Sequence, residues 1–141
     1  DKHWSRGLGD VYKRQNQTRS LGILFVSHDL LAIASMSHTM TVLYCGQTVE
    51  SGKMKHIRKR PLHPYTKALL DSAPSFSKDL PPKSQLPTLA GTIPTLQHLP
   101  IGCRLGPRCP RAQRACVNVP AVRKIHDHSY SCHFPLHMEK L

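Results

Sequence analysis

Apolar residues fall in short runs along this chain, and their spacing divides it into segments. Gly22-Ile23-Leu24-Phe25-Val26 is a continuous apolar run of the length that fills a strand buried on both faces of a parallel sheet. After Asp29, the residues Leu30, Leu31, Ile33, Ala34 and Met36 recur at the spacing of an amphipathic helix, with Ser27 or Asp29 near its start. The predicted order is therefore strand, sharp corner, helix. Residues 41–45 predict a further strand, Gly46 a turn, and the alternating residues 47–50 an antiparallel partner, which together make a small edge hairpin. Residues 53–60 are a basic stretch. Residues 61–73 place Tyr65, Ala68, Leu69 and Leu70 at helical spacing, with Pro64 tolerable in a first turn.

Outside these segments the pattern fades. Residues 1–19 are polar, carry isolated Trp4, Leu8, Val11 and Tyr12, and show neither the strand nor the helix period, so they read as a disordered or foreign leader. Residues 74–100 are rich in Pro and Ser and predict an extended linker with little regular structure. Residues 101–141 form a tail that carries four of the five cysteines.

Composition sharpens the picture. At 141 residues and 39% hydrophobic content, the chain has room for one domain with a moderate core. Lys and Arg number 20 against 8 Asp and Glu, a net charge of +12 that favours an anionic neighbour without choosing among nucleotide, nucleic acid, lipid head group and acidic protein. No run of 18 apolar residues exists to span a bilayer, and the polar start Asp1-Lys2-His3-Trp4 is unlike a secretory signal. A reducing, cytosolic setting is expected, and there cysteines are read first as metal or cluster ligands, or as free thiols.

The tail has the clearest chemistry. Cys103-x5-Cys109-x6-Cys116, followed by Cys132, gathers four thiols in a segment that otherwise lacks core-forming residues. A four-thiolate set suits either a closed zinc site or a four-iron cluster. Structural zinc favours tighter Cys pairs, so the longer spacing leans towards the larger centre. Arg104, Arg108, Arg111 and Arg114 are interleaved with the thiols and would offset their negative charge. Four reduced thiols in a disordered end are the alternative. Cys45, in a predicted strand, reads as a small buried hydrophobe, and His126 and His133 need not be ligands.

A histidine just beyond a strand end stands where open α/β sheets bind ligands, but Ser27-His28-Asp29 as an isolated tripeptide reads as a cap, and neighbours in sequence do not make a hydrolase triad. Its setting changes this. The stretch LGILFVSHDLLAIASMSHTMTVLYCGQTVESG resembles the part of ABC-transporter ATPases that carries the switch histidine, the following helix and the terminal hairpin. That resemblance aligns His28 with the residue that contacts the γ-phosphate and orients the attacking water, a role suited to phosphoryl transfer, where positioning and charge stabilisation dominate. Arg60-Pro61-Leu62-His63-Pro64-Tyr65-Thr66 resembles the segment marking the oligopeptide and dipeptide importer branch. For His63 and Tyr65 we expect packing at a helix start and assign no chemistry. The run IGCRLGPRCPRAQRACVNVP with Ser131-Cys132-His133 resembles that branch's C-terminal extension, some members of which hold a [4Fe-4S] cluster through four such cysteines.

The resemblance implies an α/β fold: the C-terminal piece of an ABC ATPase domain (buried strand, helix, β-hairpin, helix) over residues 20–73, then the linker and an irregular Cys-rich extension. It implies Cys103, Cys109, Cys116 and Cys132 as ligands, His28 as catalytic helper, and ATP with Mg as substrate of the full-length subunit. It further implies a second ATPase subunit, integral-membrane permease subunits and, indirectly, a peptide-binding protein as partners, at the cytoplasmic face of the inner membrane. The transported peptides would include antimicrobial ones. No G-x-x-x-x-G-K-[ST] phosphate loop occurs, and residues 1–15 stand where the family has its catalytic carboxylates, so a fragment with negligible ATP binding of its own is expected, its 22–26 strand lacking a parallel neighbour. A small basic metal- or cluster-binding module that binds nucleic acid is the competing reading, weakened by an aromatic content of 6%.

Overall fold

A computed structural model of the chain describes residues 14, 18, 21–73 and 89–138. The predicted leader, apart from residues 14 and 18, and the Pro-rich residues 74–88 lie outside the described residues. Residues 1–37 and 38–141 form two compact units.

In the first unit, residues 22–26 form no strand, contrary to the expectation of a buried one. Leu24 is 92% and Val26 84% exposed. The physical reason is lateral: a strand exists only by pairing its N–H and C=O groups with a neighbour, and no described segment pairs with this one. The corner and helix form as expected. Asp29 N–H donates to Ser27 Oγ at 3.0 Å, while Asp29 Oδ1 accepts from Leu31 N at 2.9 Å and Ala32 N at 3.2 Å. This cap satisfies two orphan donors and starts helix α1, Leu30–Met36.

The second unit is built on strands β1, Thr39–Tyr44, and β2, Gln47–Lys53. They are joined by Cys45 and Gly46, both at positive φ (46° and 76°), as a two-residue hairpin turn requires. Helices α2, Met54–Lys59, and α3, Pro64–Asp71, follow. Far along the chain come two short strands, β3, Arg123–Ile125, and β4, His128–Tyr130. All four strands share one antiparallel sheet in the order β1-β2-β4-β3. The Cys-rich tail is therefore not irregular throughout: its hairpin docks on β2, pairing Tyr130 with Glu50 and Ser129 with Ser51.

On β1 the alternation is regular, with Met40, Val42 and Tyr44 turned into the core. On β2 it breaks. Val42 pairs with Glu50 and Leu43 with Thr48, so Val49 is an extra residue, a β-bulge that shifts the parity of the strand. Both Val49 and Glu50 are consequently buried. Met54 and Ile57, one helical turn apart on α2, join Leu62, Leu70, Leu105 and Tyr130 in the same core. The basic stretch thus hides a helix whose inner edge is apolar. At α3 the first residue is Pro64, and Lys67 and Asp71 form an exposed i,i+4 ion pair at 2.7 Å.

Residues 89–100 contain no helix or strand, and Arg108 fastens their start by donating to the carbonyls of Leu89 and Ala90 at 3.1 and 3.0 Å. Among the described residues, no helix is long and apolar enough to cross a membrane.

Candidate functional site

The site begins with Glu50, which the bulge turns inward and which is fully buried. Oε1 accepts from Leu62 N at 2.7 Å and stands 2.6 Å from His128 Nε2; Oε2 accepts from His63 N at 2.9 Å. A buried carboxylate is tolerated when its lone pairs are met in this way. One side chain thereby ties β2 to the loop before α3 and to the tail strand β4. The strand pairing continues past β4, with Ser131 N donating to Val49 O at 2.9 Å, and so fixes the place of Cys132.

The other three tail cysteines are set by turns. Cys103 N donates to Cys116 O at 3.0 Å, closing a loop whose two ends are both candidate ligands. Gly106 N to Cys103 O and Cys109 N to Gly106 O, at 2.9 and 3.2 Å, carry the chain through the 3-10 turn Gly106–Arg108 to Cys109. The closure depends on Gly102, which lies at φ 86° and where a Cβ would collide with the Val117 carbonyl.

The outcome is one pocket bordered by Cys103, Cys109, Cys116 and Cys132, together with His63 and Arg111. Burial raises the Cys109 and Cys132 thiols, Cys132 to about 11, opposed by backbone hydrogen bonds from Arg111 and Phe134 respectively. For each of them, neighbouring thiols push in the same direction as burial, as expected when negative charges would share a small space. The thiols border the pocket without converging on one point: among the described residues no trio of His, Cys, Asp or Glu side chains is drawn together as a ready single-ion site. The donor set itself, four soft sulfurs around one space, suits a thiolate-ligated zinc or iron–sulfur centre. All five cysteines are free of disulfides.

His63 borders the same pocket. Its Nδ1 accepts from Tyr65 N at 3.1 Å and caps α3, and burial lowers its pKa to about 4 against an opposing pull from Glu50. Tyr65 stacks at a tilt on Tyr44, ring centroids 4.7 Å apart. Sequence reasoning expected only packing here and missed Glu50 and His128 altogether. The available signal was an acidic residue inside an otherwise alternating strand.

The interleaved arginines divide. Arg104 donates to Cys45 O and braces the hairpin turn, while Arg108 donates to Tyr44 Oη at 3.2 Å and to the 89–90 carbonyls, tying the end of β1 to the stretch before the tail. Arg111 alone of the four borders the pocket. Two of the charges that made nucleic acid a candidate partner are thus turned inward as structural donors. Cys45 lies at the turn and is not among the residues bordering the pocket. His28 is carried by the first unit, exposed and directly preceding the Asp29 cap.

Residues 49–116 match the family described as the oligopeptide/dipeptide transporter, C-terminal region. The chain is 51% identical over 127 residues to the peptide transport system ATP-binding protein SapD of Escherichia coli O6:H1, covering 90% of this chain and 38% of the relative. It is 44% identical to the protein of the same name from Haemophilus influenzae, over 89% of this chain and 36% of the relative. With a peptide import ATP-binding protein of Brucella abortus it shares 42% identity over 80% of this chain and 33% of that protein. The chain therefore spans less than two fifths of the length of these curated relatives.

Proposed function

We propose, since this chain belongs to the ATP-binding subunits of the oligopeptide/dipeptide ABC-transporter family, that it serves as the C-terminal region of a subunit whose ATP hydrolysis energises peptide import, antimicrobial peptides included. The observation that carries this reading is identity of about half to peptide transport ATP-binding proteins over nine tenths of the chain. In the whole subunit ATP with Mg²⁺ is the substrate, and the partners are a second ATPase subunit, the permease subunits and, through them, a peptide-binding protein. The subunit works peripherally at the cytoplasmic face of the inner membrane. Residues 20–73 form the end of its ATPase domain, residues 74–100 the linker and residues 101–141 the extension.

In this reading His28 senses the γ-phosphate. Ser27 and Asp29 support it: the hydrogen bond between them shapes the corner, and the Asp29 cap anchors the following helix, so the His28 backbone is held between two fixed residues. The pocket of Cys103, Cys109, Cys116 and Cys132 holds a [4Fe-4S] cluster in preference to zinc, supported by the four-sulfur border and the long spacing of the ligands. Such a cluster supplies a four-point staple for the tail and a redox-active centre.

The test is made in the full-length subunit. His28→Ala is expected to abolish peptide uptake and suppress ATP turnover while sparing ATP binding. Unchanged turnover would refute the role of His28.

A further inference from the structure

We propose that His63 is the side-chain hydrogen-bond donor to the sulfur-ligated centre of the four-cysteine pocket, joining the first turn of α3 to that centre. The inference rests on the reading that these four cysteines hold such a centre, and it concerns a residue that this reading leaves without a role.

The tautomer follows from geometry. Tyr65 N is a backbone donor, so Nδ1, 3.1 Å away, must present its lone pair, and the ring proton is left on Nε2. Nε2 has no hydrogen-bond partner among the described residues, yet His63 is only 1% exposed and borders the pocket. Nε2 is not sealed off, since Thr66 Oγ1 is the one fully buried side-chain N or O without a partner among the described residues, and its proton, unused by the chain, is free for the sulfurs that border the pocket. The ring is also held in place: its backbone N–H is bound by Glu50 Oε2 at 2.9 Å, and Nδ1 by the cap.

The other nitrogen-bearing side chains of the pocket are less suited. His133 Nε2 lies 3.0 Å from Asn118 O, a carbonyl that can only accept, so its proton is already used and its Nδ1 offers no donor. Arg111 is an exposed side chain at the border. His63 alone combines burial, a fixed ring and an unspent proton. A hydrogen bond to cluster sulfur stabilises the more negative, reduced state more than the oxidised one, and so raises the reduction potential.

The test uses full-length subunit purified anaerobically with its iron. His63→Asn keeps an acceptor for the helix cap, since Asn is a favoured N-cap residue, and removes the ring N–H. The expected result is retained iron with a potential shifted to more negative values in a redox titration. An unmoved potential in an iron-loaded variant overturns the inference and leaves the reading of the pocket standing. Wild-type protein without iron overturns both. Should the variant fail to load iron, pulsed EPR of reduced His133→Ala protein with isotope-labelled histidine decides: a ring-nitrogen coupling supports His63 as donor, and its absence overturns it.

Discussion

Replacing Glu50 by Gln should loosen the tail from the hairpin, because the Glu50 carboxylate on β2 meets both β4 and the loop before α3. Its carboxylate accepts two backbone N–H bonds, from Leu62 and His63, and pairs with His128 Nε2 at 2.6 Å. Gln keeps the shape but turns one oxygen into an NH2, which sets donor against donor at one or more of these contacts. Hydrogen bonds to a charged partner are worth about 1.5–3 kcal/mol each, and a stranded buried donor costs about 1–3 kcal/mol. Relief of the carboxylate's desolvation offsets part of the loss. The net expectation is about 2–4 kcal/mol. With a urea m-value of about 2 kcal/mol/M, the midpoint of unfolding followed by circular dichroism should fall by roughly 1–2 M. The exposed Lys53–Asp127 pair, 3.0 Å apart on the same hairpins, provides the contrast, since Asp127→Asn should leave the midpoint where it was. A Glu50→Gln midpoint within about 0.25 M of wild type would refute the idea that this carboxylate holds the tail in place.

Two further outcomes are expected. His63 titrates at about 4 in the folded chain, against 6.5 for an ordinary histidine, so between these values the unfolded chain binds a proton that the folded one refuses. The resulting stabilisation is fully present above pH 6.5 and is lost progressively as pH falls towards 4, by about 3 kcal/mol at the lower end; urea midpoints measured across that range should decline less steeply for His63→Asn, and equal slopes would contradict the assignment. Gly102→Ala drives a Cβ into the Val117 carbonyl at a φ of 86°, so the Cys103–Cys116 closure should open at a cost of about 2 kcal/mol or more, seen as accelerated amide exchange at Cys103 N.

What could be read from the sequence follows the range of the interactions involved. The Asp29 cap, Pro64 in the first turn of α3 and the Gly46 turn are local, and residue type announces each of them, whereas Cys45, expected as a buried strand residue, is half-buried and opens the turn at a φ of 46°. The 22–26 run has strand composition, but strand formation depends on a partner, and composition carries no information about that. β3 and β4 escaped notice because three residues each, Arg-Lys-Ile and His-Ser-Tyr, are too few to show a period. Glu50 was hidden by the bulge: simple alternation through residues 47–50 would turn Val49 in and Glu50 out, and one extra residue buries both. The four cysteines stood out in the sequence as a group of thiols, and the structure brings all four to the border of one pocket. Placing His63 beside them required the third dimension, because 40 residues of chain separate it from Cys103.

Metal and acid-labile sulfide analysis of anaerobically purified full-length protein, wild type beside Cys132→Ser, decides whether the four-cysteine pocket holds an iron–sulfur centre. About four iron and four sulfide per wild-type chain are expected, with both lost in the variant. One zinc per chain, or no metal in either protein, would contradict the presence of such a centre.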